Sequence, residues 1–199
     1  LRIRRFSQTQ IMCFVIDYRS PNKLKYDLFR RLNTGGKPLN SQEIRNCLSR
    51  VPLQKALKDM VNSEQFKKAT DGSVKDTRMD AQESVLRFMY FYDQYNEHKV
   101  LGDYSGNIDS ALDEYVEKIN RQTDFQNYIS SYLQSLSDAY TLFGKYAFRK
   151  VYPNYESARR NQVNKLLMMT ICVLLAKYRD QYKKGIEHKI DLTPRLVDL

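Results

Sequence analysis

The sequence predicts a mainly α protein, a helical bundle that carries a small β remnant. Apolar residues recur at three- and four-residue spacing over most of the 199-residue chain, as expected for helices with one buried face. Segments with β-like patterning occur only before residue 20. The chain is long enough to bury a substantial core, so the fold needs no disulfides.

Two segments near the start have the pattern of strands. Leu1 to Phe6 alternates apolar with basic residues, as a half-exposed strand does. Gln10 to Tyr18 is an apolar, partly β-branched run, which predicts a strand buried on both faces. Because two strands cannot form an independently stable sheet in water, we expect the missing strands to precede residue 1.

Helix start and stop signals organise the rest of the chain. Ser20-Pro21 predicts a helix that continues until Gly35-Gly36. Asn40-Ser41, with Glu43 in the first turn, opens a second helix. Further helices are predicted at 53–61, 63–69, 80–97, 109–120, 124–150 and 157–184, with Gly144 expected to kink or end the helix at 124–150.

The cysteines and histidines predict no metal site and no disulfide. Cys13, Cys47 and Cys172 are far apart in sequence, and we expect all three to be buried reduced thiols, which are typical of a cytoplasmic protein. For Cys47, the expected buried helix face also carries Ile44 and Leu48. The two histidines, His98 and His188, have no HNH or zinc-type context, and we expect both at the surface.

The longest apolar run covers residues 166–176 and is interrupted once. A membrane-spanning helix needs about twenty apolar residues. The run therefore predicts a core helix, and we expect no association with membranes.

The net charge of +10 is unevenly distributed. Residues 1–50 hold eleven Lys and Arg against three Asp and Glu, and residues 145–199 hold twelve against five, whereas residues 51–144 hold ten against fifteen. Basic ends of this kind are typical of contact with a polyanion such as DNA or a nucleotide. The alternative is that the basic ends neutralise the acidic middle within one fold.

Residues 29–46 contain the most unusual local pattern, a tight Gly-Gly loop between two helices. Asn33 tolerates a left-handed backbone, and the glycines permit close approach, so loop amides, the second helix start and nearby basic side chains could bind a phosphate. The alternative is an ordinary glycine C-cap with solvated basic residues. Gly36-Lys37 is followed by Pro38, so the loop is not a Walker A motif.

The same residues resemble a known family signature. The match to the GmrSD restriction endonuclease N-terminal domain family is specific over 29–46 and loose after residue 50. The matching positions are Phe29, Arg31, Leu32, Asn33, Thr34, Gly35, Gly36, Leu39, Gln42, Glu43, Ile44, Arg45 and Asn46.

The resemblance implies a ParB/sulfiredoxin-like α/β domain linked to nucleotide binding or hydrolysis, in proteins that recognise modified foreign DNA. Residues 1–50 would be the C-terminal part of that domain, and residues 51–199 a helical extension. The family's upstream Asp-Gly-Gln-Gln-Arg motif is absent here. We therefore expect catalysis to need the upstream half of the domain, with NTP and Mg²⁺ as cofactors of the complete protein and none held by this chain alone.

Two sets of candidate site residues follow. The nucleotide- or anion-binding candidates are Arg31, Asn33, Thr34, Gly35, Gly36, Lys37, Gln42, Glu43 and Arg45. The second set lies in a basic loop between the two longest predicted helices, and its members are candidates for contact with the DNA backbone. This set is Arg149, Lys150, Arg159 and Arg160.

The leading functional hypothesis is a part of a bacterial restriction or phage-defence protein that contributes to a nucleotide- or DNA-responsive site. DNA, the upstream half of the domain, an HNH nuclease domain and a second copy of the chain are the expected partners. One alternative is a non-catalytic DNA-binding or regulatory helical module, and another is a helical interaction scaffold. The many tyrosines suggest base stacking, but their helical spacing favours packing within the fold.

Overall fold

The computed structural model describes residues 10, 12–13, 15–17, 19–32, 37–98, 104, 106–154, 156–157 and 160–197. Within these residues the protein is mainly α-helical. The chain divides into two compact units, Leu1–Pro38 and Leu39–Leu199. The predicted boundary at residue 50 concerns a ParB/sulfiredoxin-like domain and stays a prediction.

The described residues form eight α-helices. The first unit contains α1, and the second contains the other seven. The helices are α1 (Asn22–Leu32), α2 (Ser41–Leu48), α3 (Val51–Asn62), α4 (Glu64–Thr70), α5 (Asp80–His98), α6 (Ile108–Ile119), α7 (Gln126–Phe143) and α8 (Lys165–Glu187).

One continuous hydrophobic core joins α3 to α8. The helix pair α7 and α8 packs together, α5 packs against both α8 and α3, and α4 packs against α7. Each helix buries the apolar face that its spacing predicts. The core includes Leu53, Phe66, Phe88, Leu112, Leu136 and Cys172, all at most 2% exposed. The predicted core helix at 166–176 is thereby confirmed as part of α8.

The predicted strand at residues 10–18 is wrong for the residues that the structure describes there. They adopt no regular strand, and Met12 and Val15 are 81% and 90% exposed. A strand needs a hydrogen-bonded neighbour, and the described residues of the first unit provide no partner strand. The predicted strand at residues 1–6 lies outside the described residues.

Two helix boundaries differ from the prediction between α7 and α8. The helix expected to reach residue 150 ends at Phe143, because Gly144 adopts a φ of 50° that an L residue rarely adopts. The helix expected from residue 157 begins at Lys165, where the Asn164 side chain accepts from the Leu166 and Leu167 amides. Between them, the described residues include a short 3₁₀ turn, Gly144–Tyr146, and an antiparallel bridge from Arg149 to Val163.

The residues after α8 return to the end of α7. The Leu192 amide donates to the Leu142 carbonyl at 2.8 Å, and the Thr193 hydroxyl donates to the Phe143 carbonyl at 3.2 Å. These carbonyls lie in the last turn of α7, so no later amide of the helix donates a hydrogen bond to them. Thr193 and Leu196 are buried in a short 3₁₀ turn, Thr193–Leu196.

The prediction of three buried thiols is correct for Cys172 and wrong for Cys13 and Cys47, which are exposed. On α2 the inward face carries Gln42 and Arg45 beside Ile44, and this orientation turns Cys47 outward. Within the part of the chain that the structure describes, no helix has the length and hydropathy required to cross a membrane.

Candidate functional site

The Gly-Gly loop that dominates the sequence is only partly described. Asn33, Thr34, Gly35 and Gly36 lie outside the described residues. Arg31 and Lys37 are exposed in the first unit. Their predicted contact with a nucleotide or anion stays a prediction.

Asn40 and Glu43 form a reciprocal capping arrangement at the start of α2. This arrangement accounts for the position of Glu43 in the first turn without a ligand. The Asn40 side-chain oxygen accepts from the Glu43 amide at 2.8 Å, and the Glu43 carboxylate accepts from the Asn40 amide at 2.8 Å. The same carboxylate binds Arg78 through Nη2 and Nε, at 2.6 and 3.1 Å. This bond raises the pKa of Arg78. Glu43 therefore fixes α2 to the residues that precede α5.

Arg45 is fully buried and binds carboxylates of the same unit. Its Nε lies 2.7 Å from Asp113, and its Nη2 lies 2.6 Å from Asp109. Its Nη1 lies 3.6 Å from Glu83 and 3.4 Å from the Gln42 side-chain oxygen, to which it donates. Three carboxylates thus neutralise the guanidinium. Arg45 consequently holds α2 on α5 and α6, and Gln42 accepts a hydrogen bond from Arg45 within α2.

The basic loop between α7 and α8 is organised around Arg149, which is only 5% exposed. Its guanidinium donates to the carbonyl oxygens of Lys145, Asn161 and Thr70 and to the Ser73 hydroxyl. All four acceptors are electrically neutral. Burial lowers the pKa of Arg149, nearby Arg160 lowers it further, and the Asp71 carboxylate acts in the opposite direction. The buried charge is therefore solvated by dipoles at hydrogen-bond distance, and Asp71 offsets it only in part.

Backbone contacts hold the two sides of this loop together. The Asn164 amide donates to the Phe148 carbonyl at 2.8 Å, and the Asn161 side-chain amide donates to the Lys150 carbonyl at 2.8 Å. Lys150 is exposed, and Arg160 is 38% exposed and pairs with Asp71 at 2.8 Å. Of the predicted DNA-backbone set, Arg149 is therefore inside the fold, Lys150 and Arg160 are at the surface, and Arg159 lies outside the described residues.

A polar cluster between α5, α6, α7 and α8 was not singled out from the sequence. The hydroxyls of Tyr115 and Tyr128 each donate to the same Asp93 oxygen at 2.7 Å. The Lys177 ammonium lies 3.4 Å from the centre of the Tyr92 ring. Burial is the main cause that raises the pKa of Tyr128 to about 12 and lowers that of Lys177. Only the spacing of Tyr92, Asp93 and Tyr115 on inward helix faces could have indicated the cluster.

The tyrosines that suggested base stacking include Tyr90, Tyr92, Tyr95, Tyr104 and Tyr115, and these five pack on other aromatic rings. Tyr90 contacts Tyr104 and Tyr115 at centroid distances of 6.5 and 5.5 Å, and Tyr95 contacts Tyr178 at 5.5 Å. Edge-on and tilted ring pairs of this kind are ordinary core packing. His188 is exposed, and no group of His, Cys, Asp and Glu able to hold a metal ion occurs among the described residues.

Comparison with known proteins adds no assignment. The chain matches no protein-family model, no curated protein and no solved structure. Function must therefore be argued from the residues and their geometry.

Proposed function

We propose that this chain is a DNA-responsive part of a restriction or phage-defence protein, and that its helical unit binds the DNA phosphate backbone through residues 145–161. The observation that carries the proposal is the arrangement around Arg149. Its guanidinium, whose hydrogen-bond acceptors among the described residues are all neutral, lies behind a surface that presents Lys150 and Arg160.

A phosphate backbone suits this surface for electrostatic reasons. Basic side chains that contact phosphates release condensed counterions, which makes the affinity large at low salt and strongly salt-dependent. A buried charge that is hydrogen-bonded only to neutral groups adds a positive potential that solvent screens less than it screens an exposed charge, and the Asp71 carboxylate reduces this potential only in part. The Arg160–Asp71 pair is exposed and therefore weak, so a phosphate can replace Asp71 at small cost.

On α2, in contrast, the candidate arginine is paired with carboxylates. This contrast favours DNA over a nucleotide as the ligand of the helical unit. Arg45, the candidate arginine nearest to the second helix start, already binds three carboxylates. The setting in a restriction or defence protein rests on the resemblance at 29–46. A nucleotide role for Arg31 and Lys37 belongs to the same proposal and concerns the complete protein.

The binding proposal is tested by fluorescence anisotropy with a labelled 20-base-pair duplex at several salt concentrations. Lys150→Glu is expected to weaken binding and to reduce the slope of log K against log salt by about one unit, since each phosphate contact contributes about 0.9. The matched control is Arg121→Glu, a reversal at an exposed residue just beyond α6, which packs against α2 and α5.

Two results would contradict the proposal in different ways. Salt-independent binding, or an equal loss of duplex affinity in both variants, would contradict the proposed phosphate interface. In cells that carry the complete protein, Lys150→Glu is expected to lose phage protection that Arg121→Glu retains. If the unmutated protein gives no protection, the defence setting is wrong, whatever the anisotropy shows.

A further inference from the structure

A cavity of about 270 Å³ opens beside the basic loop between α7 and α8. Val151, Leu167, Leu196 and Val197 supply apolar side chains to its lining. The chain brings them together because the residues after α8 fold back on the end of α7, beside the first turn of α8. The cavity therefore combines apolar and polar side chains within a basic surface, and phosphate binding alone does not need the apolar ones.

Tyr152 and Lys150 line the same cavity. Tyr152 is 56% exposed, and no other aromatic ring of the described residues packs on it. It thus differs from the tyrosines of α5 and α6, whose rings pair within the fold. An exposed ring beside a lysine offers a stacking face and a phosphate contact two residues apart along the chain.

Asn164 supplies a polar group to this lining. Its side-chain oxygen is occupied, because it accepts from the Leu166 and Leu167 amides at the start of α8. The side-chain NH₂ can only donate, and thymine and uracil carry carbonyl oxygens that accept such a bond.

We propose that this cavity takes one unpaired nucleobase of a single-stranded nucleic acid, stacked on Tyr152 while an adjacent phosphate contacts Lys150. The inference rests on the proposed phosphate-binding function and adds that the nucleic acid bound is single-stranded. Base faces are accessible in a single strand and hidden in a duplex, and stacking on an aromatic ring is tolerant of sequence. The helical unit therefore prefers single-stranded segments, such as those at opened or damaged DNA.

The experiment measures the affinities of dT15, rU15 and a 15-base-pair duplex for the full chain at one salt concentration. Tyr152→Ala is expected to weaken both single strands by at least about five-fold, as the loss of one stacked base does, and to leave duplex affinity unchanged. Tyr152→Phe keeps the ring and is expected to bind like the unmutated chain. Because Tyr152 is exposed, Tyr152→Ala should keep the thermal melting temperature, which circular dichroism checks.

The possible failures are distinguishable. If Tyr152→Ala changes duplex and single-strand affinities equally, or changes neither, the nucleobase site is wrong while the phosphate interface stands. If Tyr152→Phe loses as much affinity as Tyr152→Ala, stacking is not the interaction. If the unmutated chain binds no nucleic acid, the proposed function itself fails, and the nucleobase site fails with it.

Discussion

Arg45 and Arg149 are both buried, but their charges meet opposite environments. Arg45 is 0% exposed and lies among Asp109, Asp113 and Glu83. Arg149 is 5% exposed and donates to neutral oxygens only. The first arginine joins three helices. The second shapes an irregular loop that presents further cations.

The difference is between a buried cation that carboxylates neutralise and one whose hydrogen-bond acceptors are neutral. Removing a guanidinium from water is costly, and both sites compensate with several hydrogen bonds. Carboxylates cancel the charge of Arg45, so little field from it reaches the surface. Carbonyl dipoles solvate Arg149 but leave its charge in place, and the Asp71 carboxylate, which also pairs with Arg160, offsets it only in part. An arginine in a conspicuous sequence motif is therefore not by itself a ligand-binding residue.

The largest expected effect is that of Arg45→Met on stability. The substitution removes the guanidinium that the carboxylates of Asp113 and Glu83 share, and these carboxylates are only 19% and 21% exposed. Breaking a buried pair in this way costs about 3–5 kcal/mol. Urea unfolding at neutral pH, followed by circular dichroism, measures the change in the free energy of unfolding.

The control for Arg45→Met is Arg87→Met in the same network. Arg87 binds Glu83 at 2.5 Å and is 34% exposed, so its removal is expected to cost less than about 1 kcal/mol. If both substitutions cost the same small amount, α2 is held by Ile44 and its capping bonds. The structural role assigned to Arg45, in contrast to Arg149, would then be wrong.

Arg149→Met should have a smaller effect on stability and a clear effect on DNA binding. The variant loses the donors to four neutral oxygens, and unpaired carbonyls in a partly hydrated loop cost about 1–3 kcal/mol. Duplex affinity should fall as well, because a positive charge is lost and Lys150 is no longer fixed. Anisotropy at a temperature well below unfolding separates the two effects. Loss of stability with unchanged affinity would place Arg149 with Arg45 as a purely structural residue.

Asp71→Asn gives the smallest expected change, and it is an increase in affinity. Asp71 has a φ of 55°, which asparagine also tolerates, so stability should change by less than about 1 kcal/mol. Freeing Arg160 from its partner should raise duplex affinity up to about five-fold, the equivalent of one exposed ion pair. Asp59→Asn, at an exposed pair with Lys55 on α3, is the control and should leave affinity unchanged.

Local signals predicted the helices well where local bonds decide them. Asn40 and Glu43 predicted the start of α2, and both capping bonds are present. The apolar stripe of α7 includes Tyr132 and Leu136, which are buried as expected. Gly144 ends α7, as its position predicted, but residues 147–150 and the described residues of 157–164 were wrongly assigned to helix. Arg149 is bonded there to Thr70 and Ser73, more than seventy residues earlier. No periodicity within the segment reveals such a partner.

The candidate site was harder to predict for the same reason. Arg45 was expected beside a phosphate, but its carboxylate partners lie 64 and 68 residues later in the chain. The available signal was the pair Asp109 and Asp113, one helical turn apart on α6, which presents two carboxylates on one face. Lys150 and Arg160 are at the surface as expected, while the position of Tyr152 beside a cavity depends on Leu196, far away in sequence.

The return of Leu192 and Thr193 to the end of α7 has a consequence for synthesis of the chain on the ribosome. The carbonyls of Leu142 and Phe143 obtain these partners only from residues made about fifty positions later. Until that segment leaves the exit tunnel, the nascent helical unit has an unfinished end and an uncovered apolar surface where Leu196 belongs. The helical unit can therefore be completed only after residues 192–196 have left the exit tunnel.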